Sequence, residues 1–367
     1  HSGFPRGSID RAGDRSYNLQ TISEYVCRSG LGAGVNSKTG SSEARGLKRI
    51  AALAGVSPAT VSRVVNKRPG VRPELRKAVE ATIREHGLNI DVTARALKSR
   101  KTGRLAVIVP RSADLVFSNP FFTEILRGVA SHCEQSGYSL LLFTAATSDT
   151  LYDVNRNRSC DGVLFIGFRK SIPDPRSLRG AIVPVVTIPR PGPRYSMPFV
   201  GMDDEEGARE AVAHLISRGH TRIALLTGPH NSVYTIPRLA GYRRALADAD
   251  LPYDPSMVVE GDFTRDGGRT IATDLLARPQ RPTAIFALSD YMAQGAFDAI
   301  RSSGMKVPRD VALVGFGNTP ICTELSPALT SVDEQLQPLG SRAAGLLVSL
   351  VQGEEVAESQ VVLPTRL

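Results

Sequence analysis

Several features that mark common classes of protein are missing from the sequence. No stretch approaches the roughly 18 consecutive apolar residues of a membrane span, and the N-terminus has no apolar segment of the kind found in secretory signals. The four cysteines, Cys27, Cys133, Cys160 and Cys322, lie far apart, without the C-x-x-C or Cys/His spacing of a zinc site. We therefore expect free thiols, no bound metal, no membrane contact and a cytoplasmic location.

Motifs of enzymes are missing as well. The sequence has no nucleophile elbow, no dinucleotide fingerprint and no complete phosphate loop. Residues 32–39 come near to a phosphate loop, but Ser37 stands where the loop needs glycine and no predicted strand precedes it. The sequence predicts neither an enzyme nor a cofactor.

Positive charge is present in excess, and it is confined to one segment. The 367 residues carry a formal net charge of +9. Residues 47–104 contain 14 Lys or Arg and 4 Asp or Glu, a net charge of +10, whereas the rest of the chain has a net charge of −1. A confined basic segment is typical of a module that displaces counterions from the phosphates of nucleic acid. Nucleic acid is therefore the first partner to consider.

The first 90 residues divide into two parts. Residues 1–45 are rich in glycine, serine and charge, and they are predicted to be a disordered extension. Residues 46–90 predict a small all-α domain of three helices, in which Ser57 is the N-cap of a second helix at 58–66 and Pro73 starts the third. Its predicted core contains apolar residues at helical spacing, namely Ile50, Leu53, Val61, Val64, Val65, Leu75, Val79 and Ile83.

After a hinge and linker at 91–103, residues 104–367 alternate apolar runs with amphipathic helices. The runs are apolar enough for burial on both faces, which is typical of parallel strands, and they are 105–109, 140–143, 163–166, 185–188, 223–226, 283–286 and 311–314. So many units exceed one doubly wound sheet, and we predict two α/β lobes around a cleft. The expected bounds are about 104–190 and 335–353 for the first lobe, and about 191–334 and 354–367 for the second.

The basic segment also carries a specific motif. Residues 47–66 read LKRIAALAGVSPATVSRVVN, and residues 94–97 read ARAL. This pattern resembles the helix-turn-helix head and hinge helix of the lactose-repressor/galactose-repressor family, and the resemblance covers residues 47–367. It implies a two-lobed domain like the type I periplasmic binding proteins. It also implies a repressor that binds a palindromic double-stranded DNA operator as a homodimer, with a tetramer left open, and that responds to a small-molecule effector.

The second helix of the head is expected to read DNA, because small and polar side chains face outward from it. Arg63 can make two hydrogen bonds to guanine and Ala59 can contact a thymine methyl group, so these two should contribute most to base reading. The other candidates on this helix and in the hinge are Ser57, Pro58, Thr60, Ser62, Asn66, Ala94, Arg95 and Leu97. Capping explains Ser57, and packing explains Thr60, as well as DNA contact does. The resemblance implies that Leu97 inserts into the minor groove, with packing against the head as the alternative.

The resemblance further implies where the effector binds. Arg238 matches the ligand-binding arginine of the family, and Phe121 and Phe122 match positions that wall its pocket. The remaining candidates are Asn119, Arg190, Ser289 and Asn318. The contexts at 117–122 and 188–191 look similar to the maltose-repressor branch, so an α-glucoside or related sugar is expected.

Two alternatives stay open at this point. Arg190 and Arg238 equally permit an anionic effector, and the carboxylates with which many sugar-responsive members grip hydroxyls are absent, since Asn318 and Arg190 stand in their places. A sugar-binding protein without DNA regulation would share the second domain, but it would have no use for the basic segment 47–104.

Overall fold

The computed structural model describes residues 49–65, 69–85, 101–144, 159–167, 183–191 and 197–367. The chain divides into two compact units, residues 1–94 and 95–367. Each unit has a hydrophobic core of its own. Within the described ranges, every helix is too short or too polar to traverse a lipid bilayer.

The first unit contains the three helices that the sequence predicts. They are α1 (residues 49–53), α2 (Pro58–Val65) and α3 (Pro73–Glu85). Gly55 has a φ of +63°, and it allows the tight turn between α1 and α2 because it has no Cβ to oppose a left-handed backbone. The Oγ of Ser57 accepts a hydrogen bond from the backbone N–H of Thr60 at 3.1 Å. Ser57 is therefore the N-cap of α2, as predicted.

The core of this head differs from the prediction at two leucines. Its buried members are Ile50, Ala51, Val61, Val64 and Val79. Leu53 is 48% exposed and Leu75 is 37% exposed, so the prediction that both are core residues is wrong. In α1 the inward face includes Ile50 and Ala51, and Leu53 lies about 200° around the helix from Ala51, on the outer side.

The second unit is built on parallel sheets. Its described strands are β1 (Arg104–Val109), β2 (Ser139–Thr144), β3 (Gly162–Ile166), β4 (Val185–Ile188), β5 (Phe199–Met202), β6 (Ile223–Thr227), β7 (Val258–Glu260), β8 (Ala284–Ala287), β9 (Ala312–Gly317), β10 (Thr330–Asp333) and β11 (Gln360–Leu363). They form a six-stranded sheet in the order β11-β5-β4-β3-β1-β2 and a five-stranded sheet in the order β10-β9-β8-β6-β7. All strand pairs in both sheets are parallel. The predicted α/β fold with two parallel-sheet lobes is confirmed.

Helices connect these strands, because parallel neighbours cannot be joined by tight hairpins. They are α4 (Ala113–Ser118), α5 (Pro120–Ser136), α6 (Asp204–Ser217), α7 (Thr235–Asp248), α8 (Arg265–Leu276), α9 (Asp290–Ser302), α10 (Ile321–Glu324) and α11 (Leu336–Gln352). The apolar residues of α5 and α11 lie in the core of the first lobe, and those of α6, α7, α8 and α9 lie in the core of the second.

The lobe boundaries differ from the predicted ones. The sequence assigned residues 191–334 and 354–367 to the second lobe, but β5 and β11 both belong to the first sheet. Phe199 pairs with Thr187 of β4, and Val361 pairs with Val200 of β5. The first sheet therefore reaches Met202 and includes the last strand of the chain. The reason is that β5 and β11 satisfy their backbone hydrogen bonds by extending its edge.

Loops from both lobes meet at one place. All strands of a parallel sheet point the same way, so the loops that follow their carboxyl ends gather along one edge, where ligands of open α/β sheets usually bind. In the first lobe these loops begin after β1 and β3. In the second lobe they begin after β6, β7, β8, β9 and β10. A cavity lies where the two sets of loops face each other.

Candidate functional site

The cavity between the lobes is narrow and mixed in character. The first lobe contributes Arg111, Leu115, Asn119, Phe121, Phe122 and Gly167 to its wall. The second lobe contributes, among others, Tyr234, Arg238, Asp290, Phe316 and Glu334. The free volume is about 50 Å³, so the lobes are closed over it. A ligand of more than a few atoms enters only when the lobes separate.

The floor of the cavity is a buried ion network centred on Arg238 of α7, which is 2% exposed. Its Nε donates a hydrogen bond to Oδ1 of Asp204 at 2.7 Å, and its Nη2 donates to Oε1 of Glu334 at 2.6 Å. Its Nη1 donates to the backbone oxygen of Leu288 at 2.8 Å, and its guanidinium carbon lies 3.7 Å from the ring centre of Phe316. These contacts hold the guanidinium in place. Arg238 therefore shapes the floor and has few N–H groups left for a ligand.

Aromatic rings from both lobes meet above this floor. The ring centres of Phe121 and Tyr234 are 5.4 Å apart with an interplanar angle of 82°, so the first lobe contacts the second edge to face. Phe121 also packs at 5.2 Å against Phe122 of the same helix. The guanidinium carbon of Arg238 lies 5.3 Å from the ring centre of Tyr234. The rings give the cavity flat apolar surfaces, as is usual for sites that bind small molecules.

The floor has more carboxyl groups than the guanidinium can neutralise. Burial raises the pKa of Glu334 to about 8, although Arg238 acts in the opposite direction and Asp204 and Asp290 add to the rise. Burial also raises the pKa of Asp204, again opposed by Arg238. Two carboxyl groups that share one cation in a buried place do not both ionise readily. Burial and the repulsion between the two carboxyl groups therefore favour the protonated form of one of them.

Two polar atoms in this floor are buried without a hydrogen-bond partner among the described residues. They are the hydroxyl oxygen of Tyr234 and Oε2 of Glu334. Both residues line the cavity. Because buried polar atoms are nearly always hydrogen-bonded, two atoms without partners at a cavity indicate a place where a ligand or water binds.

Five of the seven candidate effector residues line the cavity, namely Asn119, Phe121, Phe122, Arg238 and Ser289. Arg190 and Asn318 are not among its lining residues. Arg190 is exposed after β4, with its guanidinium carbon 5.8 Å from the ring centre of Phe199. Asn318 is exposed at a φ of +47°, where its backbone N–H donates to Oγ of Ser331, and Thr319 lines the cavity in its place.

Two of these five candidate residues also cap helices. The Oδ1 of Asn119 accepts a hydrogen bond from the backbone N–H of Phe121 at 3.0 Å and caps α5. The Oγ of Ser289 accepts one from the backbone N–H of Met292 at 3.2 Å and caps α9. Their side-chain oxygens therefore have a structural role, and a ligand would meet the remaining N–H or O–H donors.

In the head, α2 has one buried side and one outer side. Val61 is fully buried and Val64 is 4% exposed, whereas Pro58, Ala59 and Arg63 are exposed. Thr60 and Ser62 are half-buried. The outer side thus has the composition that the sequence predicts for base contact. Four further candidates lie outside the described residues, namely Asn66, Ala94, Arg95 and Leu97.

Comparisons with known proteins cover both units. A model described as bacterial regulatory proteins, lacI family, matches residues 46–89, and a model described as periplasmic binding protein-like domain matches residues 212–367. The transcriptional regulator CelR of Thermobifida fusca is 36% identical over 88% of this chain and 96% of its own length. The transcriptional repressor CytR of Escherichia coli (strain K12) is 33% identical over 88% of this chain and 94% of its own.

Solved structures give the same picture. A CelR–cellobiose complex is similar with a TM-score of 0.68, at 35% identity, covering 87% of this chain and 97% of that one. The lac repressor dimer bound to operator and the anti-inducer ONPF is similar with a TM-score of 0.73, at 27% identity, covering 86% of this chain and 95% of that one.

Proposed function

The chain belongs to the LacI family of bacterial regulatory proteins, and we propose that it is a repressor that binds a palindromic operator as a homodimer and is controlled by a neutral sugar. It acts in the cytoplasm, where the DNA is, and it catalyses no reaction. Support comes from relatives that match nearly the whole chain and are themselves transcription regulators.

The DNA-binding role depends on α2. Val61 and Val64 fix the helix to the head, and Ala59 and Arg63 lie on its outer side. A helix of this kind fits a major groove, where Arg63 would bond to O6 and N7 of guanine and Ala59 would contact the methyl group of thymine. Contacts to phosphates are proposed for the hydroxyl side chains at the start and side of the helix, namely Ser57, Thr60 and Ser62. The roles of Asn66, Ala94, Arg95 and Leu97 stay predictions.

The sugar-binding role depends on the cavity. CelR has been solved with cellobiose. A sugar ring needs apolar faces and hydrogen-bonding groups around it. Phe121 and Tyr234 offer the apolar faces, and the unpaired polar atoms of Tyr234 and Glu334 offer the hydrogen-bonding groups. Of the described lining residues, Arg111 and Arg238 are basic, whereas Asp262, Asp290 and Glu334 are acidic. When Glu334 is protonated these lining charges balance, and Arg238 is already bonded to Asp204, so the cavity has no surplus positive charge for an anionic effector.

The closed cleft is the observation that carries the proposal. The Phe121–Tyr234 contact joins the lobes across a space of about 50 Å³, so a bound sugar needs a different lobe arrangement. A ligand that binds one arrangement better than the other shifts the population between them. The same chain carries a head that reads DNA, so this shift is available to control operator affinity.

The test uses the full-length protein and a palindromic duplex selected with it from a random pool. Binding to a fluorescent copy of the duplex is measured by anisotropy with cellobiose, maltose or cellobionate, which resembles cellobiose but carries a carboxylate. We expect one of the two neutral sugars to change operator affinity and cellobionate to have no effect. A response to cellobionate alone would overturn the neutral-sugar proposal. Equal affinity for the selected duplex and a shuffled one would overturn the regulator.

A further inference from the structure

The floor of the cavity contains two buried polar atoms that have no hydrogen-bond partner among the described residues. Oε1 of Glu334 accepts a hydrogen bond from Arg238, but Oε2 of the same carboxyl group is buried without a partner among the described residues. The hydroxyl oxygen of Tyr234 likewise has no hydrogen-bond partner. Glu334 is 1% exposed, so its free oxygen cannot be satisfied by bulk solvent.

The hydrogen bonds around the floor decide which carboxyl group carries its proton. Asp290 accepts from Oγ of Ser331 at 2.6 Å and from both N and Oγ1 of Thr319 at 2.7 and 2.9 Å. Oδ1 of Asp204 accepts a hydrogen bond from Nε of Arg238 at 2.7 Å and forms an ion pair with Nη2 of Arg238 at 2.7 Å. Glu334 receives one donor only. The carboxylate with the fewest donors is the least stable anion, so the proton resides on Glu334.

The position of the proton follows from the same contacts. Since Oε1 faces the N–H of Arg238, the proton is on Oε2, the atom that lacks a partner. Burial and the nearby carboxylates also raise the pKa of the Tyr234 hydroxyl, so it stays a neutral O–H group. The floor therefore presents two O–H groups, each able to donate one hydrogen bond and to accept others.

We propose that Glu334 and Tyr234 form the hydroxyl-recognising end of the effector site, and that Glu334 acts as a neutral carboxyl group which donates its proton to an oxygen of the bound ligand. The inference rests on the proposed function and narrows the ligand to a neutral compound rich in hydroxyl or ether oxygens. Arg238 is the positioning residue, because it fixes Oε1 of Glu334 and leaves Oε2 for the ligand.

The surroundings of Glu334 on each side are consistent with this role. Arg238 and Tyr234 face it from α7 and the preceding loop, Asp204 from the start of α6, and Asp290 from the start of α9. Arg111 and Asp262 complete the charged groups among the described residues of the cavity wall. With the carboxyl group neutral, the cations and anions around the cavity balance more nearly than with it ionised. Loss of the proton therefore places a second carboxylate on the guanidinium that Asp204 already shares, and a negative charge on Oε2 against the ligand.

This predicts a pH dependence with a definite sign. Burial raises the pKa of Glu334 to about 8, so the neutral form that binds the ligand is depleted as the pH rises above that value. If only the neutral form binds, the dissociation constant for the sugar increases roughly tenfold between pH 7 and pH 9. Above pH 8, binding takes up a proton from the buffer.

The experiment measures the affinity of the full-length protein for cellobiose and for maltose by calorimetry at pH 6.5, 7.5, 8.5 and 9. Proton uptake is obtained by repeating the titration at pH 8.5 in two buffers of different ionisation enthalpy. We expect the wild type to show the weakening and the uptake, and Glu334→Gln to show neither, because an amide does not titrate. Tyr234→Phe should weaken binding roughly two- to tenfold at every pH and keep the slope.

The control is Glu324→Gln, the same substitution at an exposed carboxylate of α10 that does not line the cavity. It should retain the wild-type affinity and pH profile. A pH slope that persists in Glu334→Gln, or a wild-type affinity that does not change between pH 7.5 and pH 9, would overturn the inference while leaving sugar control intact. Failure of the wild type to bind either sugar would overturn the proposed function and the inference together.

Discussion

Replacing Arg238 by methionine tests the buried ion network most severely. The substitution keeps much of the side-chain volume but removes the guanidinium that bonds both Asp204 and Glu334. It also leaves the backbone oxygen of Leu288 without its donor at 2.8 Å. Breaking a buried ion pair on one side costs about 3–5 kcal/mol, because an uncompensated charge is left behind. For a unit of this size that corresponds to a melting temperature lower by roughly 6–20 °C at pH 7.

The cost should depend on pH in a direction that the structure fixes. In the wild type, burial already raises the pKa of Glu334 to about 8 and raises that of Asp204 as well. Without the guanidinium, the pKa of both groups rises further in the folded state, so folding takes up protons and stability falls as the pH increases. The slope is at most about 1.4 kcal/mol per pH unit for each proton. The variant should therefore regain much of its lost stability when the pH is lowered from 8 to 5.5.

The assay is thermal unfolding followed by circular dichroism, since the chain has no tryptophan to report by fluorescence. Arg243→Met is the matched control, because it makes the same substitution on the same helix at an exposed arginine that contacts Tyr253. That variant should stay within about 0.5 kcal/mol of the wild type. If Arg238→Met melts no lower than Arg243→Met, or if its deficit does not shrink at pH 5.5, then Arg238 does not stabilise the fold by neutralising Asp204 and Glu334.

Two further predictions concern packing and capping. A Cβ at Gly340 would overlap the backbone oxygen of Ile125, so Gly340→Ala should lower the free energy of unfolding by about 1–3 kcal/mol or more. A Cβ at Gly345 of the same helix would meet only a side chain, so Gly345→Ala should lower it less. Thermal melting curves of the two variants test the difference. Ser57→Ala removes the oxygen that caps α2, which should cost about 1 kcal/mol and speed amide hydrogen exchange at Thr60 about fivefold; unchanged exchange would contradict the cap.

Much of the fold could be predicted from the sequence because its strongest signals are local. A strand buried on both faces is a continuous apolar run, and all seven such runs form strands. The four strands that escaped prediction, β5, β7, β10 and β11, are short and carry glycine or polar residues. Their pairing is decided by which sheet edge lies nearby. That is also why the predicted lobe boundaries failed at β5 and β11.

The residues of the cavity fall into the same two groups, those with a local sequence signal and those without one. Phe121, Phe122 and Arg238 were found because they stand within local motifs. Glu334 and Tyr234 were not, because their importance depends on partners distant in the chain. Glu334 lies 96 residues from the guanidinium that holds it. A residue just after a strand of a parallel sheet is a good candidate for a ligand contact, but β10 had to be recognised first.

Arg63 on α2 is the residue through which this protein is proposed to read a specific DNA sequence. The most direct measurement is the affinity of the wild type and Arg63→Ala for the selected palindrome and for copies with single guanine changes, at fixed salt. Arg222→Ala, an exposed arginine of the second unit, is the control. The wild type should prefer the palindrome to a shuffled duplex by at least about a thousandfold. Arg63→Ala should lose discrimination at one guanine, a loss of about 1–3 kcal/mol. Equal affinity of the wild type for palindrome and shuffled duplex, or unaltered discrimination at every guanine in Arg63→Ala, would contradict it.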